Sequence, residues 1–590
     1  MRWFDSSRGH VLRPSVLFLL LVALIAGCGG SQHHPNPAPA GNAIGDGTRG
    51  GHATFVAGRD VDFLDPGRTY DPLGFMVAYA TNRPLYSFAP DHPAKPVPDL
   101  ADGPPEVSAN NRTVTVHLKE GIRYAPPVGG VVRAQDVRYA IERAFTTSVP
   151  SEYATTYLGD IEGAPASPIS VDRLEDFPGL QTPDDATLVI KLTKPVAQRV
   201  VAALALPITI PVPEARAKPL DAHVPSTYDT AVAYTGPYMV SEQVAGQRLE
   251  LVRNPNWSAD DDYRPAFLDA ITISETTADP AAAARRTLAG THLLCCDQPQ
   301  PPTAILQAAR AEHPAQLGTV PAGGTRWVAL NTSKAPFDNV DVRRAVIAGV
   351  DREALRATLG GELAGPIAQG FLPPGIPGFA ESGGLGGVGV DYLAHPAGDM
   401  ALFKTYMLRA AKAGVPVDPA TGRYAGTRPV TVVGDNADPG LATSRAVVAA
   451  LRRLGFRTTF RKVPHDALAR YCGVPAEAPD VCPVVGWFKG LADPQAMLMP
   501  TFDGAAIKPA ANVNYSQLDD PAIDRAMDAA ALLAGSDRSE AWAKINRSII
   551  DRAPAIPYVW DDAFGLQSAD MRAVMNGYLT TWDLSFSSIR

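Results

Sequence analysis

A chain of 590 residues with 46% hydrophobic residues has ample material for a large core and too much of it for one conventional domain, so two or three lobes are expected. The formal charge of −8 leaves no basic footprint for nucleic acid, and no later apolar run is long enough to span a membrane.

The first residues carry Arg2, Arg8 and Arg13 and then run "SVLFLLLVALIAGC" into Cys28, a basic segment followed by an apolar one too short to span a bilayer. Leu24-Ile25-Ala26-Gly27-Cys28 resembles the lipobox of bacterial lipoproteins, which implies cleavage before Cys28 and a lipid on its thiol. Residues 1–27 are therefore expected to be a signal peptide, and 28–50, rich in Gly, Pro, Asn and Ala, a tether. As a flexible coil, such a tether has a reach of roughly 25 Å. His33-His34 within it reads as solvated polar residues, not a metal site.

From Gly51 onward short β-rich runs alternate with amphipathic segments, the pattern of an α/β protein. "TVTVHLKEGIRY" alternates Val114, Val116 and Leu118 with polar residues and predicts a half-buried strand, while "RAQDVRYAIERAF" spaces Val137, Ile141 and Phe145 as a helix does. "DATLVIKL" reads as another strand. The apolar run Val200 to Pro213, broken by prolines, is expected to be a buried strand or loop. "RPVTVVGDNADPG", "ATSRAVVAALRRLG" and "FRTTFRKV" read as strand, helix and strand, with Gly455 stopping the helix. Ligands of such β-α-β units gather at the strand carboxyl ends, where Asp435 and Asn436 stand.

"GLGGVG", Gly384 to Gly389, matches a dinucleotide fingerprint in form only, since no strand feeds it and no helix follows directly. No HExxH, GxSxG or P-loop pattern occurs, so neither an enzyme nor a cofactor has positive support. Of the five cysteines, Cys28 is assigned to lipid. Cys295, Cys296, Cys472 and Cys482 admit three pairings; closing the short Cys472–Cys482 loop is the simplest, and "HLLCC" lacks the ligand spacing of a zinc site.

The stretch Pro96 to Phe145 resembles the extracellular solute-binding proteins of family 5, the peptide/nickel type: a "P-x-L-A" segment, a "tvtv" hairpin and an "A-x-D-V" helix follow in order. "TGPYMV" at Thr235, "LVRNPNW" at Leu251, "VALNTSKAPFDNVDVRRAVIAGVDRE" at Val328, "LPPGIPGF" at Leu372 and "APAIPYVW" at Ala553 extend the resemblance to the chain's end. It implies a two-lobed class C-type binding fold of mixed sheets flanked by helices, with lobe I at 51–323, lobe II at 324–555 and a return to lobe I over 556–590. It further implies a monomeric, lipid-anchored, extracytoplasmic receptor that holds a peptide or peptide-like solute between its lobes and delivers it to ABC-transporter permease subunits, with no catalysis, metal, cofactor or nucleic acid. A ligand-binding sensor or chaperone-like lipoprotein on the same fold and a secreted hydrolase are the competing readings.

The resemblance places Tyr70 and Tyr86 near the cleft, and "GWFKGLADP", Gly486 to Pro494, on its wall, with Trp487 and Phe488 as a rigid apolar face beside Lys489 and with Asn436 as a further contact. Peptide-binding members carry an Asp three residues after the Trp to pair with the peptide ammonium. Here that position is Gly490, so the usual grip on a free amino terminus is not expected.

Overall fold

The computed structural model describes residues 46–590 apart from 152, 175–176, 298–299 and 510–511. Cys28 and the segments expected to be signal peptide and tether, up to residue 45, lie outside the described residues. No helix among the described residues is long and apolar enough to cross a membrane.

One ten-stranded mixed sheet organises the chain. Its order is Thr458–Val463, Val430–Asp435, Val481–Phe488, Leu317–Leu330, Ala555–Gln567, Leu293–Cys295, His52–Val56, Ala270–Ser274, Arg248–Arg253 and Tyr238–Val244. The two central strands are the longest, at 14 and 13 residues, and pair antiparallel along most of their length. At about 3.3 Å per residue each spans roughly 45 Å, enough to belong to both lobes. Their register shifts between Pro321 and Gly324, a bulge at the middle of the molecule.

The strands on one side of this pair pack with helices into the core that runs from Trp327 to Val559, that of lobe II. Val430–Asp435, the helix Gly440–Arg453 and the parallel strand Thr458–Val463 form the β-α-β unit read from the sequence. Arg452 and Arg453 lie in the helix's last turn, where its dipole favours cations, and Gly455 takes a φ of +100° that lets the chain turn back. The neighbouring helix Val340–Gly349 is capped by the Asn339 side chain, which accepts from the backbone N–H groups of Asp341 and Val342.

On the other side lie the larger cores of lobe I, one of them around the four-stranded sheet Glu106–Val107, Thr113–His117, Thr187–Lys191 and Leu180–Asp184. The helix Ala134–Arg143 covers it, as the spacing of Val137 and Ile141 predicts. The run from Val200 is buried but not a strand: its Ala-rich start continues the helix Ala197–Ala203, and a 3₁₀ turn follows at Pro207–Thr209. Alanines favour the helix, and the prolines end it.

Cys472 and Cys482 are joined by a disulfide within the lobe II core, and Cys295 and Cys296 are joined to each other in lobe I. "GLGGVG" is a surface turn with a 3₁₀ segment at Gly384–Gly386 and neither strand nor helix attached.

Candidate functional site: the cavity between the lobes

A cavity of about 900 Å³ opens where the two long strands pass between the lobes. Lobe I supplies Tyr70, Phe75 and Tyr153, lobe II supplies Leu359, Phe488 and Lys489, and the crossing strands supply Arg326, Asp561 and Asp562. A second hollow, about 960 Å³, is walled by lobe I alone, from Asp102 and Lys119 to Asp260 and Tyr263, so lobe movement cannot close it. The inter-lobe cavity has the size and the mixed apolar and polar lining of a small-molecule site.

Tyr70 stands in a loop fixed from below. The Asp62 carboxylate accepts from the backbone N–H groups of Tyr70 and Asp71 and from the Thr69 hydroxyl. Asp65, fully buried, takes both ends of the Arg143 guanidinium at 2.7 and 2.9 Å, and Arg143 also holds Asp221. The loop is anchored, while the Tyr70 ring remains 56% exposed over the cavity.

The strand Val481–Phe488 ends at the cavity, and its alternation decides which aromatic faces it. Phe488, 46% exposed, is on the wall, with the Arg326 guanidinium 5.3 Å from its ring centroid. Trp487 points to the other face, packs against the lobe II core and donates its indole N–H to the Ala496 carbonyl at 3.0 Å. The expectation of Trp487 as a wall residue is thus corrected: its side chain is taken up by the lobe II core and the Ala496 carbonyl, and Phe488 has the cavity side.

Two other expected contacts lie elsewhere. Tyr86 is 3% exposed in the lobe I core, with its hydroxyl donating to the Gly103 carbonyl at 2.9 Å, and burial pushes its pKa up. Asn436 is exposed at the end of its strand and off the cavity wall; Pro439, three residues on, is the part of that loop which reaches the cavity. Its neighbour Asp435 is buried, bonded to His465 at 2.7 Å and to the backbone N–H of Ala437. The structure therefore brings together Tyr70, Phe488 and Lys489 of the six expected contacts, and leaves Tyr86, Trp487 and Asn436 outside.

Of the charged groups at the cavity floor, Arg326, Asp561 and Asp562 were not singled out from the sequence. Arg326 donates from Nε to Asp561 Oδ1 at 2.6 Å. Burial opposes the charge on Arg326, but the Asp561 carboxylate outweighs it and raises the guanidinium pKa. Asp561 Oδ2 is buried with no hydrogen-bond donor. The Asp562 side chain has no ion pair or hydrogen bond among the described residues, and burial, reinforced by Asp561 and opposed by Arg310, pushes its pKa up to about 7. Lys489 donates to the Gly577 carbonyl with its ammonium 5.5 Å from the Tyr578 ring centroid, and burial pushes its pKa down to about 7. A signal was present: "DD" interrupts the otherwise apolar strand "AIPYVW…AFGLQ", and charge inside a buried strand asks for a reason.

Cys296, with Asp297, also lines the cavity, which brings the "HLLCC" stretch to the site as a wall. Among the described residues no group of three or more His, Cys, Asp or Glu is placed to hold a metal ion. What remains is a charged, half-apolar cleft between lobes.

The model of the bacterial extracellular solute-binding proteins, family 5 Middle, matches residues 95–509. The chain is 25% identical over 294 residues to the oligopeptide-binding protein OppA of Bacillus subtilis (strain 168), which covers 48% of this chain and 51% of that protein. The periplasmic oligopeptide-binding protein OppA of Escherichia coli (strain K12) is 27% identical over 297 residues, 49% of this chain and 50% of that protein, so the chain spans about half the length of the curated relatives it matches. Among solved structures, the unliganded open form of the periplasmic murein tripeptide-binding protein MppA superposes with a TM-score of 0.76 at 20% identity, over 93% of this chain and 99% of that one. The two lobes, the shared central strands and the family match over most of the chain agree, and the chain belongs to the family 5 bacterial extracellular solute-binding proteins, which are binding proteins and not enzymes.

Proposed function

We propose that the chain is the substrate-binding component of an ABC importer, which captures a short peptide or peptide-like solute between its lobes and passes it to permease subunits outside the cytoplasm. The observation that carries this reading is the cavity of about 900 Å³ walled by both lobes and floored by the strands they share. Relatives whose names specify oligopeptide or di/tripeptide binding support the ligand class. The reading includes a signal peptide at 1–27, lipid at Cys28, a tether to residue 50, lobe I at 51–323 with 556–590, and lobe II at 324–555, working as a monomer.

Closing the lobes over a solute buries apolar wall on both sides and removes water from the charged floor, so a ligand that matches those charges stabilises the folded protein by mass action. Native mass spectrometry of the purified protein tests this directly. A retained peptide mass that disappears on denaturation supports the reading; a retained solute with no peptide-like bonds overturns its ligand class.

A further inference from the structure

Cys295 and Cys296 are bonded to each other with no residue between them, and Cys296 stands on the cavity wall. The entropy that a disulfide removes from the unfolded chain grows with the loop it closes, so this pair restrains the unfolded state less than Cys472–Cys482, whose ends are 10 positions apart. Its use is local. The two halves are also held differently. Cys295 ends the strand Leu293–Cys295, pairs with Leu566 of the strand Ala555–Gln567, accepts from the Trp582 indole N–H through its carbonyl and is fully buried. Cys296 is where the chain leaves the sheet, and it keeps 6% exposure on the cavity side.

The wall that follows has few fastenings. Asp297, Gln300, Thr303 and Leu306 line the cavity after Cys296. Asp297 Oδ1 accepts from the Gly58 backbone at 3.0 Å, while Asp297 Oδ2 and Gln300 Oε1 are buried and accept no hydrogen bond among the described residues. Arg59 Nε lies 3.5 Å from Asp297 Oδ2, and the same guanidinium holds both oxygens of Asp71, the residue after Tyr70. The disulfide thus sets the start of one wall and, through Asp297 and Arg59, reaches the loop that carries the exposed Tyr70 ring. A constraint at Cys296 acts on two sides of the cavity.

Resting on the transport-receptor reading, we propose that Cys295–Cys296 is a thiol-exchange site through which an external dithiol controls the cavity wall: the oxidised pair holds the wall ready for a solute, and the reduced pair lets it loosen and weakens the grip. The reagent enters by the cavity, because Cys296 is the half that meets it. One thiolate of the dithiol attacks Cys296 Sγ, and the bond to Cys295 Sγ breaks with its electron pair going to Cys295, which takes up a proton. The second thiolate attacks the reagent's own sulfur, closes the reagent's disulfide and releases Cys296, which is protonated in turn. The protein gains the electron pair and both protons that the dithiol loses. A wall that must be ordered again on binding costs affinity, which gives the switch its direction.

The test treats the full native chain with dithiothreitol, traps free thiols with iodoacetamide and maps them by peptide mass, with Cys472–Cys482, buried off the cavity, as the internal control. Cys295–Cys296 is expected to open about tenfold faster than the control or more. Hydrogen exchange should then quicken in residues 58–71 and in the helix Thr303–Glu312, both in the reduced chain and in Cys295→Ser/Cys296→Ser, and should return to its starting rate when oxidised dithiothreitol closes the pair again. Calorimetric titration of trialanine should show binding about fivefold weaker or more after reduction. Opening no faster than the control overturns the proposal, and so does unchanged exchange, unchanged affinity, or unfolding on reduction as seen by circular dichroism, which would make the pair a structural staple. Failure of the oxidised chain to bind trialanine counts against the ligand class of the receptor reading alone, and the opening and exchange rates then decide the switch.

Discussion

Both carboxylate oxygens of Asp493 lie against Arg538 Nη2, at 3.0 and 2.9 Å, and the same carboxylate caps the helix Pro494–Phe502 by accepting from the Gln495 backbone at 2.7 Å. Both side chains are more than nine-tenths buried. Asp493 is thus committed to holding the aromatic turn against the helix Gly535–Arg552, and it cannot swing into the cavity to replace an acid missing at Gly490. Removing one partner of a buried pair leaves the other uncompensated, so Asp493→Ala should cost about 3–5 kcal/mol of stability by urea unfolding. Ligand discrimination between free and acetylated amines should not change in that variant.

The aromatic pair gives opposite phenotypes. Phe488→Ala removes a cavity wall and the aromatic face under Arg326 and should weaken ligand binding by about 1–2 kcal/mol with little loss of stability. Trp487→Ala should instead cost about 2–3 kcal/mol of stability, because it empties space against the lobe II core and orphans the Ala496 carbonyl, with affinity in the folded protein nearly unchanged. Parallel calorimetry and chemical denaturation of the two variants separate these outcomes.

Much of the fold is legible in the sequence because its signals are local. Val430–Asp435, Gly440–Arg453 and Thr458–Val463 announce themselves by alternation, helical spacing and Gly455. The site is less so. The "GWFKG" turn can be placed at a strand end, but which of Trp487 and Phe488 faces the ligand depends on which side of the sheet lobe I occupies, a long-range fact. Tyr86 has the same composition cue as Tyr70, yet one is roofed by lobe I and the other stands clear. Asp561 and Asp562 are separated by more than 230 residues from Arg326 and become a floor only when the two long strands pair.

Lys489 and Asp562 give the ligand-free protein a distinctive pH response. Lys489 has a folded pKa of about 7, below its unfolded value, so the unfolded chain binds more protons above pH 7 and this residue's contribution to stability rises with pH from about 7 to 10. Asp562 has a folded pKa of about 7, above its unfolded value, so the folded chain binds more protons and its contribution falls from about pH 4 to 7. Asp561 and Arg310 are the charges that act on Asp562; Lys489 faces the Gly577 carbonyl and the Tyr578 ring. The difference in melting temperature between wild type and Lys489→Met should therefore change only above neutrality, and that for Asp562→Asn only below it. A flat difference in both would mean that neither group is desolvated.

Cys472 and Cys482, both buried in the lobe II core, close a loop between the helix Leu468–Gly473 and the strand that carries Phe488. By chain entropy, a loop of this length restrains the unfolded state by about 2–3 kcal/mol. The double variant Cys472→Ala/Cys482→Ala should lose about that much in guanidinium unfolding. A loss well below 1 kcal/mol would show that the core alone orders the loop.

Gly490 offers the sharpest probe of how the turn beside Lys489 is built. A Cβ there would lie 2.5 Å from the Tyr157 hydroxyl, so lobe I sits directly against the position where an acid would project. Its backbone is outside the left-handed region, so the obstacle is the tyrosine and not chain strain. Gly490→Asp must displace Tyr157, which is itself half-buried, and must enclose a carboxylate next to Lys489. The single variant should melt lower than wild type, and Gly490→Asp/Tyr157→Phe should recover part of the loss by removing the obstructing oxygen. The new carboxylate should also pair with Lys489 and raise its pKa.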